Sequence, residues 1–406
     1  MAMADSQDAQ VGKPGAAATS DLNRPLFVAL IAHTVTVNAV VALARVTTSY
    51  RAIELDLSVV WLGVIASGFS LIPVFSAVWV GRLIDRGYDA LSARVGAAMM
   101  LVACAGLWWM PNSALHLLLF SIALGFGHLF CMAGHQMIAV RCAGPISREH
   151  VFGYHMIAIA IGQGLGPMML SWLGGDAHLP PTQLLFTAAL VGAMISQVVA
   201  FGLRRTGTPA AARGRTETVT VREMLRQRSL VAVLVASVVT VTAFELLTVY
   251  LPLLGTERQI DTRDIGLLLA TRSLVSIVSR TFYARLIMLV GRQRLMLACM
   301  MLGAAGFTLM GLPVSLPLMY VAMAVVGVGL GIAATLGFSE VVALAPHHAR
   351  ATALSLRLTG NRIGQLLVPA AASVVAEITG IGGVLLIIAA CLAASGAFTH
   401  ISVKRP

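Results

Sequence analysis

The chain alternates long apolar stretches with short polar breaks, and the stretches have the length of helices that cross a bilayer. A spanning helix takes about 20 apolar residues. In the first half such runs cover residues 26–50, 58–80, 95–111, 114–140, 151–173 and 182–203. In the second they cover 229–254, 265–289, 295–312, 318–344, 351–378 and 381–401. The expected fold is an all-α integral membrane protein of about 12 transmembrane helices.

The series is written twice. IGQGLGP at Ile161–Pro167 returns as IGQLLVP at Ile363–Pro369, an offset of 363 − 161 = 202 residues, close to half the chain, with Leu366 and Val368 in place of two glycines. A duplicated unit of this length predicts two six-helix bundles. The breaks then divide the chain into a disordered tail (1–25), a first bundle (26–203), a linker (204–228), a second bundle (229–401) and a short tail (402–406). Within the linker Thr220 and Glu223 have capping-box spacing ahead of Met224 and Leu225, which predicts a short amphipathic helix on the membrane face. The first apolar run is too long for a signal-peptide core and has no small-residue cleavage site, so it reads as a retained helix.

Composition agrees with this reading. Hydrophobic residues make up 58% and charged residues 11%, about half the charge of an ordinary soluble domain. The net charge of +11 has a topological cause. One set of loops collects most of the basic residues, including Arg82, Arg86, Arg94, Arg141, Arg204, Arg222, Arg292 and Arg294, while the opposite set holds only Arg51, Arg258 and Arg263. The positive-inside rule therefore places both termini in the cytoplasm. Basicity used in this way calls for a lipid bilayer as partner and for no nucleic acid. The dominance of arginine over lysine and the lack of glycosylated loops favour a bacterial inner membrane.

Side chains that are costly in lipid mark the candidate site. A charge inside a span costs at least ~2.5 kcal/mol, which makes each one a functional hypothesis. Arg45, Arg272, Arg280, Arg357 and Arg362 qualify. Arg272, Ser276 and Arg280 recur at four-residue steps on the eighth span, as do Arg357, Asn361 and Gln365 on the eleventh, while Asn38 and Arg45 share a stripe with Thr34 on the first. Buried acids are fewer: Glu245, Glu340 and Glu377. Five cations against three acids predict a positive interior that takes a small anionic substrate, since the guanidinium fork suits carboxylate or phosphate. The alternative is that some arginines only pair with acids: Arg280 is expected to pair with Glu340, and Arg45 is open to either role. Glu245 and Glu340 are the first candidates for carrying protons, with His128 and His135, seven apart on one helix face, after them; His33 is also intramembrane.

Other chemistries find no residues to support them. The histidines lack HExxH spacing and the acids lie on separate helices, so no catalytic constellation, metal site or cofactor is expected, and the chain does not read as an enzyme. No nucleotide-binding loop is present. The five cysteines, Cys104, Cys131, Cys142, Cys299 and Cys391, have neither metal-ligand spacing nor an extracellular pairing and read as packing residues.

Two bundles, cytoplasmic termini, a basic central loop and a 202-residue repeat together resemble the major facilitator superfamily from about residue 25 onward. The loop after the second span, GRLIDRGYD, matches that family's signature at Gly81, Leu83, Asp85 and Arg86, while Tyr88, Asp89 and Ala90 depart from it. The second-half loop, ARLIMLVGRQR, keeps Arg285 but has Met288 where the acid should stand. The resemblance implies that Gly81, Asp85, Arg86 and Arg285 belong to a cytoplasmic gate and that the bundles are related by a pseudo-two-fold axis with substrate between them. Exposed ion pairs of about 0 to 1 kcal/mol suit a latch broken in every cycle.

Gly153, Gly162, Gly166 and Pro167 resemble the motif of the superfamily's exporter branches, which implies a close-packed, bent seam sealing the transport path. A glycine-rich helix that merely packs well is the alternative. Leu170 and Ser171 stand where the motif usually has two glycines, and the first and fourth spans lack the acid and the arginine usual in drug-proton antiporters. The expected protein is a monomeric secondary transporter that exports a small anionic or amphipathic compound in exchange for protons; the alternative is a proton-coupled importer of an organic anion.

Overall fold

The computed structural model describes residues 23–109, 112–142, 148–204, 221–346 and 350–403. The N-terminal tail up to residue 22, Thr220 and most of the linker, and residues 404–406 lie outside the described residues, as does the side chain of Asp85. All regular structure among the described residues is helical: α1 (Arg24–Glu54), α2 (Val59–Asp85), α3 (Asp89–Trp109), α4 (Ala114–Cys142), α5 (Arg148–Gly174), α6 (Thr182–Ala200), α7 (Val221–Arg226), α8 (Arg228–Glu257), α9 (Thr262–Thr281), α10 (Tyr283–Val290), α11 (Arg292–Gly311), α12 (Leu316–Leu344) and α13 (Arg350–Ser402). Residues 24 and 25, expected in the tail, already belong to α1, where the Asn23 side chain caps the Leu26 N–H at 3.3 Å and Pro25 occupies the first turn.

Ten of these helices are long and apolar enough to cross a membrane, or eleven with α9 and α10 counted as one bent span. The last, α13, has 53 residues and a non-helical Gly380 at φ 69°, ψ 174°. At 1.5 Å per residue it is far longer than a bilayer is thick. Gly380 therefore divides it into two spans, which brings the number to the twelve read from the sequence.

One expected span is broken. Residues 265–289 bend by 62° between α9 and α10. Ser279 Oγ donates to the Ser276 carbonyl at 3.0 Å and Thr281 Oγ1 to that of Val278 at 2.7 Å, so hydroxyls compete for the carbonyls that would continue the helix.

Helices α1, α3, α4, α5 and α6 pack on one another, as do α8, α9, α11, α12 and α13, while α2 meets α13 and α5 meets α9 across the two groups. Asn23 and Val403 mark the terminal end of the molecule; the α1–α2, α5–α6 and α8–α9 turns mark the distal end. The distal halves are held by a repeated contact. A methyl group on Gly266 of α9 would stand 2.6 Å from the Pro167 carbonyl oxygen, and one on Gly63 of α2 would stand 2.5 Å from that of Pro369. Both glycines and both prolines repeat by the duplication, since 266 − 63 = 203 and 369 − 167 = 202. Beside this seam the Thr262 N–H donates to the Ala177 carbonyl at 2.9 Å and the Arg263 N–H to that of Gly175 at 3.2 Å.

Such a close approach leaves no room for a side chain. Gly266→Leu is expected to weaken distal closure by about 1–3 kcal/mol through overpacking. Spin labels on Leu179→Cys and Gln259→Cys, across the seam, would report a longer distance in the variant. An unchanged distance would show that the seam does not govern closure.

Candidate functional site

Between the two groups of helices lies a cavity of about 320 Å³. Its wall is built on helical faces. Asn38, Val41, Ala42 and Arg45 of α1 follow the i, i+3, i+4, i+7 pattern of one face, and so do Val241, Phe244, Glu245 and Thr248 of α8. The second set is the first moved by 241 − 38 = 203 residues. Gln163 of α5 and Gln365 of α13 likewise face the cavity, 365 − 163 = 202 apart. The frame is duplicated but its chemistry is not: Arg272, Arg280 and Arg362 come from the second half, and Arg45 alone from the first.

Arg45 reaches across the cavity to Glu245, forming an ion pair between α1 and α8. The Gln365 amide donates to the other oxygen of Glu245 at 3.0 Å, and Arg362 donates to the Gln365 oxygen at 3.3 Å. The Arg45 guanidinium lies over the Phe69 ring, 4.5 Å from its centroid. Arg272, 6% exposed, lies 5.0 Å from the Phe244 centroid and donates to the Phe244 carbonyl at 3.3 Å, while its Nε has no partner among the described residues. No carboxylate stands within ion-pair distance of Arg272, Arg280 or Arg362 among the described residues. Four guanidiniums therefore face one carboxylate.

Most of the residues expected at the binding site meet here: Asn38, Arg45, Arg272, Ser276, Asn361, Arg362 and Gln365 all line the cavity, and so do Glu245 and His128. Asn361 accepts a bond from Ser237 at 3.1 Å. Arg357 does not line the cavity. Steps of four residues drift by about 40° each, so the wall of α13 follows Leu358, Asn361, Arg362 and Gln365 instead. Arg357 stands behind Ala334, donating to its carbonyl at 3.4 Å.

Other expectations need correction. Arg280 lines the cavity and donates to the Gly331 carbonyl at 3.3 Å, while Glu340 takes Arg292 as its partner at 3.3 Å. Glu377 is exposed, and so is Cys391. His135 belongs to a buried group away from the cavity: its ring lies 2.5 Å from His33 Nδ1 and 3.4 Å from the Thr34 hydroxyl, which in turn meets His155 at 3.2 Å. His155 carried no signal of its own in the sequence, because the hydroxyl it meets, that of Thr34, lies 121 residues away.

Two glycines of the α5 motif act inside the first bundle. Cβ atoms on Gly162 and Gly166 would meet Val35 O at 2.5 Å and Leu43 N at 2.7 Å, both on α1, so these glycines seat α5 against α1, while Pro167, with Gly164 and Gly174, meets α9 of the opposite bundle. Gly153 and Gly81 have open space where a Cβ would stand. Arg86 and Arg285 are exposed at the terminal end. The acid that sequence reading passed over is Asp89: it is fully buried, it accepts the Ala90 N–H at 2.8 Å as α3 begins, and it pairs with Arg141 of α4 at 3.0 Å.

The same architecture occurs in solved transporters. The crystal structure of the nucleoside transporter NupG superposes with a TM-score of 0.75 at 14% identity, covering 94% of this chain and all of that one. A bacterial homologue of the human lysosomal transporter Spinster, inward-facing and unoccupied, gives 0.74 at 14% identity over 94% of this chain and 97% of that one. None of the curated proteins matches the sequence. A model of the major facilitator superfamily matches residues 26–261 and again 233–406, the two matches together spanning both bundles, and the chain therefore belongs to that superfamily.

Proposed function

We propose that this membrane transporter is a secondary carrier for a small organic anion, held between the bundles and released by their rocking. The observation that carries the reading is the cavity wall, where Arg45, Arg272, Arg280 and Arg362 face Glu245 as the single carboxylate among the described residues. Guanidinium groups bind carboxylate, sulfonate or phosphate through paired hydrogen bonds. Phe69 and Phe244, stacked under two of these groups, supply an apolar surface for the rest of the molecule.

Protons drive the cycle in this reading, with Glu245 and His128 as the titratable groups in the cavity wall. The exporter-like glycines of α5 support export, and the cationic wall equally serves uptake. The arginine distribution supports cytoplasmic termini in a bacterial inner membrane, and Asp85, Arg86 and Arg285 keep their proposed part in a gate at the terminal end. The carrier works as a monomer.

A thermal-shift panel on detergent-solubilised protein tests the cargo. Benzoate, benzenesulfonate and citrate are expected to stabilise the fold, by about 2.7 kcal/mol at roughly 100 times Kd. Tetraphenylphosphonium and adenosine are expected to leave it unchanged. Stabilisation by the cation or the nucleoside, with none from the anions, would reverse the assignment.

A further inference from the structure

The arrangement around Glu245 bears on the sign of coupling between proton and anion. Glu245 occupies Arg45 through one oxygen and receives Gln365 on the other. An anion that takes Arg45 must stand beside that carboxylate, and two negative charges at contact distance oppose each other. A proton on Glu245 removes the opposition and turns the acid into a hydroxyl donor, able to bond the incoming anion.

The surroundings give this effect one direction. Arg45 faces Glu245 from α1, His128 from α4, Arg272 and Arg280 from α9, and Arg362 from α13; α2 and α12 contribute the uncharged Phe69 and Ala334. Both ring nitrogens of His128 are buried without a hydrogen-bond partner among the described residues. A proton taken up by either titratable group makes the cavity more positive. Neither can expel an anion in the way that a proton-for-anion exchange requires.

We infer that a proton on Glu245 and an anion on Arg45 bind cooperatively, so that this carrier moves the two in the same direction. By linkage the anion raises proton affinity as much as the proton raises anion affinity. The unloaded carrier closes the Arg45–Glu245 pair across the bundles, and the loaded one carries both ligands in its place. With protons flowing into the cell the result is uptake of the anion, which is the alternative to export in exchange for protons. The inference rests on the anion reading above.

Calorimetric titration of the full-length protein with benzenesulfonate tests both. This probe stays ionised across the range, so any pH dependence belongs to the protein. Affinity is expected to rise by about 5- to 150-fold from an alkaline to an acidic buffer. Titrations in two buffers of different ionisation enthalpy should show protons taken up on binding. Glu245→Gln, which mimics the protonated acid, should bind tightly in both buffers and take up fewer protons.

Three results would overturn the cooperative assignment: weaker binding in acid, proton release on binding, or a Glu245→Gln variant whose pH profile equals that of the unaltered protein. If the variant does not fold, the proton count on the unaltered protein decides alone. Absence of benzenesulfonate binding in either buffer would instead remove the anion reading, and the coupling assignment with it.

Discussion

Arg45→Ala is expected to destabilise the protein by about 3 kcal/mol, and Glu245→Ala introduced in the same chain is expected to restore most of that loss. The Arg45 and Glu245 side chains are only 13% and 17% exposed, so removal of the arginine leaves a carboxylate with little water and a single amide donor, Gln365. The opposite single change is milder, because Arg45 keeps the Phe69 ring beneath it. A double-mutant cycle read by thermal unfolding in detergent measures the coupling, which should reach about 1–3 kcal/mol. Additive losses would mean that the pair contributes nothing between the bundles.

Arg272→Met should do the reverse: the free protein gains stability while anion binding collapses. The guanidinium is buried with no carboxylate at ion-pair distance among the described residues, and the protein has paid its desolvation without the return that an ion pair brings. Methionine keeps the apolar stem over Phe244 and removes the charge, so about 1–2 kcal/mol of stability should be gained. Charge-assisted hydrogen bonds contribute about 1.5–3 kcal/mol each, so losing two costs about 3 kcal/mol or more and lowers affinity at least a hundred-fold. Arg272→Lys should recover the charge but only part of the affinity, because the planar fork is gone. A variant that loses both stability and binding would point to a structural arginine.

Much of the site was legible because membrane chemistry makes polar residues conspicuous. Arg45, Glu245, Arg272 and Arg362 could be singled out in the linear sequence since a charge in a span is costly enough to need a purpose. Stripe arguments were less reliable over distance. Arg357 and Gln365 are two four-residue steps apart, and the accumulated drift was enough to turn Arg357 behind Ala334. Phe69 and Phe244 could not be distinguished from ordinary apolar positions, because their part in the site comes from the guanidiniums lying over them. Asp89 was hidden by its place in a loop signature that it departs from; its burial against Arg141 depends on how α3 packs on α4.

By itself the sequence determined the number of spans, their duplication and the presence of excess positive charge within them. These follow from length and composition, which lipid constrains locally, helix by helix. Only the tertiary structure decided which charges meet: that Arg45 pairs with Glu245 across the bundles, that Glu340 turns to Arg292, and that three histidines gather away from the cavity. Pairing depends on the rotation and depth of helices far apart in the chain. Those are set by backbone contacts such as Gly266 on Pro167 and Gly63 on Pro369, where the absence of a side chain decides how closely two helices approach.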